Sequence, residues 1–237
     1  FFFALHFMVS STTSSLLTAT SLVKRSPLLL PIHQHNPEYR AIHQFLFHHD
    51  RFCHFAFQKL QYDYFDTHCL VKRDPTTGKD VTHLMLFPFR VTLPSTNVFG
   101  TLHGGMLMTM VDLCTSLHIG ERLLPKKPGH VSVNLSTSFI TAAQRDETLV
   151  AVTRIDKIGK RLAYSSVDFL MDRRRTPSHN PTTATTHVDT IEAVEEMLRR
   201  DYVTVAQGKH VKSIIAGMDL TSSSLDGSGG GAGGAPP

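Results

Sequence analysis

The sequence predicts an α+β domain in which a curved antiparallel sheet wraps around one long central apolar helix. Residues 106–119 are apolar on nearly every side when they are placed on a helix, and a helix of this kind is usually buried. Strand-like runs precede and follow it, and residues 131–139 alternate apolar and polar side chains with a period of two. Because a curved sheet is the economical way to cover all sides of such a helix, the two patterns together favour one mixed domain.

The segments before the helix are interpreted as helices followed by a hairpin. Residues 38–61 alternate aromatic and polar side chains and predict an N-terminal helical segment. Residues 61–72 and 82–93 predict two strands, and residues 74–79 between them have turn chemistry. Pro88 lies inside the second strand and predicts a sheet edge or a bulge, because proline cannot donate to the ladder.

Four strands are predicted after the helix, and a turn at residues 158–160 joins the second to the third. The strands are expected at residues 131–139, 147–156, 161–171 and 202–215. Residues 172–201 are interpreted as an insertion that ends in a short amphipathic helix capped by Thr190. In the first strand, a regular pleat assigns one face to Val131, Val133, Leu135 and Phe139 and the other to Ser132, Asn134, Ser136 and Ser138.

The two ends of the chain differ in composition from the middle, which places the main domain at residues 62–216. Residues 1–37 contain no Asp or Glu and are rich in Ser and Thr, which predicts a disordered or targeting segment. Its composition is typical of mitochondrial transit peptides, with the cytoplasm as the alternative compartment. Residues 217–237 are rich in Ser and Gly and predict a disordered tail. The apolar run at residues 1–9 is too short to span a bilayer, so no stable membrane insertion is expected.

Composition and charge narrow the classes of partner. The chain has 237 residues, 41% hydrophobic residues and a formal net charge of +4, which suits one domain with a sizeable core. Its basic residues are scattered without an aromatic-interleaved stripe, so nucleic acid is a poor candidate and a small phosphorylated ligand explains the charge better. Three cysteines without a paired framework indicate free thiols in a reducing compartment.

The histidine-rich N-terminal region was a candidate for a metal site. His49 with Cys53, and Asp50 with His54, have the spacing of neighbours on one helix face. No second ligand pair at a recognised spacing follows, so neither a metal site nor a cofactor is predicted.

The central helix carries two features that indicate chemistry. Asp112 lies among apolar residues, and a carboxylate in such a setting is costly unless it is paired or hydrogen-bonded. His103, Gly104 and Gly105 open the helix with accessible backbone N–H groups beside the positive end of its dipole. The same helix is therefore predicted to carry an acid and an anion-stabilising N-terminus.

These residues resemble the hotdog-fold acyl-CoA thioesterases of the phenylacetate-degradation type, including the acyl-CoA thioesterase 13 group. The resemblance rests on the spaced residues Asn97, Gly100, His103, Gly104, Gly105 and Asp112, and on the runs at 131–134, 159–163 and 206–210. It implies hydrolysis of acyl-CoA to free acid and CoA within a hotdog fold.

Thioester hydrolysis requires an activated nucleophile and a site for negative charge on the carbonyl oxygen. Asp112 is the natural general base or nucleophile, and burial is expected to raise its pKa. The Gly104 N–H is the natural oxyanion donor. The resemblance implies that Asn97 and His103 shape the carbonyl and water positions and that Ser132 assists. The alternatives are a structural role for Asp112, a helix cap for His103 and an ordinary strand position for Ser132.

The spacing along the helix has a consequence for assembly. Gly104 and Asp112 are about 12 Å apart on one helix, which is too far for both to act on one carbonyl and its water. Two antiparallel helices across a two-fold axis would bring Gly104 of one copy to Asp112 of the other, which predicts an obligate dimer. The resemblance implies that two such dimers commonly associate.

Cations are needed to bind the phosphates of CoA, and Lys209, His210, Lys160 and Arg161 are the candidates. Two other functions remain open at this stage. A hotdog protein could bind acyl-CoA without turnover, or a hotdog dehydratase could use His103 with an acid to remove water from a hydroxyacyl thioester.

Overall fold

The sheet of the protein is antiparallel and has the strand order β1-β2-β3-β5-β6-β7-β4. The computed structural model describes residues 25–46, 52–126, 128–173 and 188–219. Within this part of the chain the strands are β1 (Leu29–Pro31), β2 (His68–Arg73), β3 (Asp80–Arg90), β4 (Pro128–Phe139), β5 (Thr148–Ile158), β6 (Leu162–Asp172) and β7 (Tyr202–Asp219). β4 therefore lies at one end of the described sheet, beside β7.

One long helix lies against the inner face of this sheet, as the sequence predicts. The described helices are α1 (Ile32–His35), α2 (Tyr39–Leu46), α3 (Phe52–Gln58), α4 (Gly104–Arg122) and α5 (Ile191–Asp201). Along α4 the buried side chains extend around the helix because the sheet covers one side and α2 and α3 cover part of the other. The prediction of a hotdog arrangement, with an α+β domain built on one central helix, is confirmed.

The outer face of the sheet has a hydrophobic core of its own, closed by α5. Val194, Met197 and Leu198 of this helix are buried against apolar side chains of the outer face. Thr190 caps the helix by accepting a hydrogen bond from the Ala193 N–H at 3.1 Å, as predicted. The segment before β1 joins this layer, since the Arg25 guanidinium pairs with Asp201 at 2.6 Å.

The first hairpin and its proline agree with the sequence. β2 and β3 are joined by a turn in which Gly78 has φ +65°, a conformation that suits glycine. Pro88 pairs with Val150 of β5, while the pairing of β3 with β2 extends no further than Leu86. Pro88 therefore lies at a local edge, where its missing N–H leaves no ladder bond unmade.

Two predicted boundaries need correction. Residues 25–37 are not disordered: Leu29 and Ile32 are buried, and β1 pairs with β2. The calls on residues 1–24 lie outside the described residues. The predicted tail begins too early, because β7 continues to Asp219. The remainder of that tail, 220–237, is also outside the described part of the chain.

A third correction concerns the faces of β4. The pairing of β4 with β7 shifts register between Ser132 and Asn134, which marks a bulge. Ser132 consequently hydrogen-bonds to the central helix, and Leu135 packs against the same inner core. The regular alternation predicted for this strand is wrong, because one extra residue reverses the facing of the residues that follow.

The sequence raised the questions of disulfide bonds, metal sites and membrane spans, and the described residues bear on each. Cys53, Cys69 and Cys114 form no disulfide bond. Among the described residues, no group of three or more metal-ligating side chains is placed to hold an ion; His49 and Asp50 lie outside them. None of the helices described here has the length and hydropathy that a bilayer crossing requires.

Candidate active site

Asp112 lies in the middle of α4 and meets polar groups from the two neighbouring strands. Its Oδ1 accepts a hydrogen bond from the Ser132 hydroxyl of β4 at 3.1 Å. The Lys212 ammonium of β7 lies 3.1 Å from the same oxygen. The Ser116 hydroxyl, one helical turn onward, is 3.3 Å away. The carboxylate is therefore held by side chains and not by its own main chain.

The pKa of Asp112 is shifted in the opposite direction to the sequence prediction. Burial raises the pKa of Asp112, but the charge and hydrogen bond of Lys212, together with His210 and Ser132, outweigh it. The pKa of Asp112 therefore lies below its usual value, and the predicted increase is wrong. The side chain is 43% exposed, which leaves room for a water or a substrate beside it.

His210 forms the second layer of this site. Its Nε2 is 3.0 Å from the Ser132 hydroxyl, and its Nδ1 is 2.7 Å from the Thr115 hydroxyl. The residue is 1% exposed, and burial followed by the charge of Lys212 lowers its pKa to about 4 despite the nearby Asp112. The sequence predicts His210 as a ligand of the CoA phosphates. The structure instead places its ring in an enclosed position, where the lowered pKa leaves it neutral at pH 7.

α4 begins at Gly104, as the sequence predicts, and His103 precedes it. His103 caps the helix, since its Nδ1 accepts a hydrogen bond from the Gly105 N–H at 2.9 Å. In the neutral ring this assigns the proton to Nε2, which remains a donor. Gly104 is the first helical residue, and its N–H has no acceptor within the helix.

Asn97 organises the loop that precedes this terminus. Its Oδ1 accepts from the N–H groups of Phe99 at 2.9 Å and Thr101 at 3.2 Å. Its Nδ2 donates to the Thr101 hydroxyl at 2.8 Å. Gly100 has φ +75° in the same turn. The side chain thus builds the turn, and one of its amide hydrogens has no acceptor among the residues that the structure describes.

A cleft of about 310 Å³ opens beside Gly104. Its walls come from the loop that contains Asn97, from the start of α4, and from the end of β4 with the residues after it. The lining residues include Leu107, Phe139, Ile140 and Val205. A cleft of this size is within the range of small-ligand sites and combines an apolar wall with a helix terminus.

The predicted residues therefore form two groups. Asp112 and Ser132 meet halfway along α4, whereas Asn97, His103 and Gly104 meet at its start. Within one chain the helix separates the groups by about 12 Å. Of the expected CoA cations, Lys209 is exposed on β7, and Lys160 and Arg161 are exposed at the turn between β5 and β6.

Sequence reasoning missed Lys212 and Thr115. The sequence does contain a signal for Lys212. Residues two apart on a strand share a face, and His210 belongs to the run at 206–210 that carries the resemblance. Lysine on a strand ordinarily reaches solvent, so nothing local indicated that this one is buried. Thr115 lies one helical turn after Asp112, but its contact with β7 depends on tertiary packing.

Known proteins are similar to this chain in the region that contains this site. Residues 99–178 match the model of the thioesterase superfamily, so the predicted resemblance is confirmed for that segment. Acyl-coenzyme A thioesterase 13 of Homo sapiens is 37% identical over 75 residues, which cover 31% of this chain and 51% of that protein. The Mus musculus protein of the same name is 35% identical over 86 residues, covering 35% and 59%.

The chain spans about half the length of the curated relatives it matches first. Among solved structures, zebrafish thioesterase superfamily member 2 aligns with 20% identity and a TM-score of 0.48, covering 78% of this chain and 99% of that one.

Proposed function

We propose, from the thioesterase superfamily match of residues 99–178, that this protein hydrolyses acyl-CoA thioesters to free acid and CoA. The observation that carries the proposal is the carboxylate of Asp112, which is ionised, side-chain-anchored and partly open to solvent. A non-catalytic binding protein would not require a carboxylate held in this state. The similarity to the acyl-coenzyme A thioesterases supports the choice of CoA as the carrier.

In the proposed reaction Asp112 removes a proton from a water molecule as that water attacks the thioester carbonyl. Negative charge then gathers on the carbonyl oxygen, where the Gly104 N–H and the α4 dipole stabilise it. The C–S bond breaks as the tetrahedral intermediate collapses, and the CoA thiolate leaves and takes up the proton that Asp112 accepted from water, which restores the ionised carboxylate. The alternative path, in which Asp112 attacks and forms an anhydride that water then hydrolyses, uses the same groups.

Ser132 assists by holding Oδ1 of Asp112, and the remaining residues act at the carbonyl. The free amide hydrogen of Asn97 and the Nε2 proton of His103 are donors at the start of α4. Because His103 is engaged as a helix cap, its role as the proton shuttle of a dehydratase is disfavoured. Lys209, Lys160 and Arg161 remain the candidates for the CoA phosphates.

The proposed site is shared between two copies of the chain. Apolar side chains are exposed beside the open edge of β4, where Val131 is 50%, Val133 60% and Phe139 57% exposed. β4 is the last strand of the sheet in the described part of the chain, and an edge without a described partner strand next to such a surface favours association with a second copy. Antiparallel packing of two α4 helices there would bring Gly104 of one copy to Asp112 of the other. Pairing of two such dimers stays a prediction from the family resemblance.

The first test is release of free thiol from a series of acyl-CoA substrates by wild-type protein and Asp112→Asn. We expect the substitution to lower kcat by at least about 100-fold, because loss of a general base costs this much or more. Asp156→Asn is the matched control, since Asp156 is an exposed aspartate on β5 that accepts a hydrogen bond from Ser166.

Three outcomes would separate the candidate functions. Binding of acyl-CoA without thiol release by the wild-type protein would favour the non-catalytic alternative. Hydration of an enoyl thioester would favour the dehydratase. Full activity in Asp112→Asn would refute the assigned base.

A further inference from the structure

Lys212 is a buried cation that none of the proposed catalytic steps uses. Its side chain is 6% exposed, and its Nζ lies 3.1 Å from Asp112 Oδ1 and 3.2 Å from the Ser132 hydroxyl. An ammonium group without a partner in such surroundings would lose its charge or destabilise the fold. Among the described residues, Asp112 is the carboxylate with which it forms an ion pair. The ion pair therefore favours the charged form of both Lys212 and Asp112.

The two oxygens of Asp112 have different surroundings. Oδ1 accepts hydrogen bonds from the hydroxyls of Ser132 at 3.1 Å and Ser116 at 3.3 Å, and the Lys212 Nζ lies 3.1 Å from it. Oδ2 receives no hydrogen bond from the residues that the structure describes. The carboxylate is consequently oriented through Oδ1, and Oδ2 is the oxygen available to a water at the partly exposed side of the site.

We propose that Lys212 is a positioning residue that keeps Asp112 ionised and directs Oδ2 toward the attacking water. The inference rests on the proposed thioester hydrolysis, and it assigns to Lys212 the positioning of Asp112, the general base of that reaction. Register places Lys212 directly opposite Ser132, so β7 supplies the cation and β4 supplies the hydroxyl to one oxygen. Lys212 itself does not touch the substrate.

Other titratable groups face this pair from the neighbouring elements. His210 of β7 lies 3.7 Å from Asp112 Oδ1, and His130 of β4 interacts with both Lys212 and Asp112. Burial lowers the pKa of each of these histidines to about 4, so neither carries a charge near pH 7. Cys53 also interacts with Lys212. Of these named groups, Lys212 is the one that supplies positive charge to the carboxylate during turnover at neutral pH.

The direction of the pH dependence follows from these charges. Lys212 favours the ionised form of Asp112, so its removal raises the pH at which Asp112 becomes active as a base. Burial lowers the pKa of Lys212, although the Asp112 charge and hydrogen bond act in the opposite direction. Because the pKa of Asp112 lies below its usual value, the acid limb that Asp112 sets in the wild-type protein is expected at a lower pH than that of an ordinary aspartate.

The experiment is the pH profile of kcat/KM for wild-type protein, Lys212→Met and Lys212→Arg. We expect the acid limb of Lys212→Met to move upward by about one pH unit or more, since an adjacent cation shifts a carboxyl pKa by about this amount. Lys212→Arg keeps the positive charge, so its acid limb should lie close to the pH of the wild-type limb. Circular dichroism and the oligomeric state identify variants that have not folded. An acid limb unchanged in folded Lys212→Met would overturn the proposal.

A measurement on the wild-type chain keeps the proposal testable if Lys212→Met does not fold. The carboxyl carbon of Asp112 can be titrated by NMR, with Asp112→Asn used to assign the signal. A midpoint below that of an ordinary aspartate supports the proposal, and a midpoint above it contradicts it. Absence of thiol release by the wild-type protein would instead refute the proposed function, and the NMR titration would still report on the pair.

Discussion

At the scale of single residues, Gly208 determines how closely the central helix approaches β7. A Cβ placed on Gly208 would lie 2.5 Å from Cγ2 and 2.8 Å from Cγ1 of Val111, the residue before Asp112. We therefore expect Gly208→Ala to lower the free energy of unfolding by about 1–3 kcal/mol, as overpacked cores do. Urea denaturation followed by circular dichroism measures this loss.

Gly159→Ala is the control for that substitution. Its Cβ would meet the Leu162 carbonyl oxygen at 3.4 Å, an ordinary contact, so a small change in stability is expected. In a Val111→Ala background, Gly208→Ala should cost less than it does alone, because the colliding methyl groups are absent. Equal cost in both backgrounds would show that the close approach is not the cause.

At the scale of elements, α5 converts the insertion between β6 and β7 into the cover of the outer face. Met197 is 1% exposed within this second core. We expect Met197→Ala to lower the free energy of unfolding by about 2–5 kcal/mol, through lost burial and the cavity left behind. Thiol release per folded molecule should be unchanged, because α5 and the Asp112 site lie on opposite faces of the sheet.

Glu196→Ala tests whether the effect comes from burial and not from the helix as such. Glu196 is an exposed neighbour that pairs with Arg199 at 3.1 Å, and a surface pair of this kind contributes little. A loss of stability in Glu196→Ala as large as that in Met197→Ala would contradict the packing role assigned to the inner side of α5.

At the scale of the whole molecule, the proposed active site requires two chains. Gly104→Pro removes the proposed oxyanion donor at the first helical position, where proline is tolerated. Mixing Gly104→Pro and Asp112→Asn chains by unfolding and refolding should produce heterodimers with one intact site. We expect recovery of about a quarter of the wild-type thiol release, because half of the dimers are mixed and each has one working site of two.

Each variant refolded alone should remain inactive, which provides the baseline for this complementation. Analytical ultracentrifugation should show the same dimer in the single and mixed samples. If the mixed sample shows no more activity than the separate variants, the two groups do not act across subunits.

Much of the architecture followed from local patterns. Apolar residues on nearly every side of the helix predict that it is buried, and the Asp, Pro and Gly residues at 74–79 predict the hairpin turn. The placement of Asp112 and Gly104 on one helix follows from spacing alone. The folded segment at residues 25–37 was missed, because its pairing partners lie far along the chain.

Helical periodicity and spacing are local properties, so they predict a long buried helix that carries an acid and a glycine-rich start. The facing of Ser132 could not be predicted in this way, because a bulge in β4 breaks the alternation of side chains. The direction of the pKa shift of Asp112 also depends on the tertiary structure. Lys212 lies 100 positions away in sequence and approaches the carboxylate only when β7 packs against the helix, so local polarity could not indicate a lowered pKa.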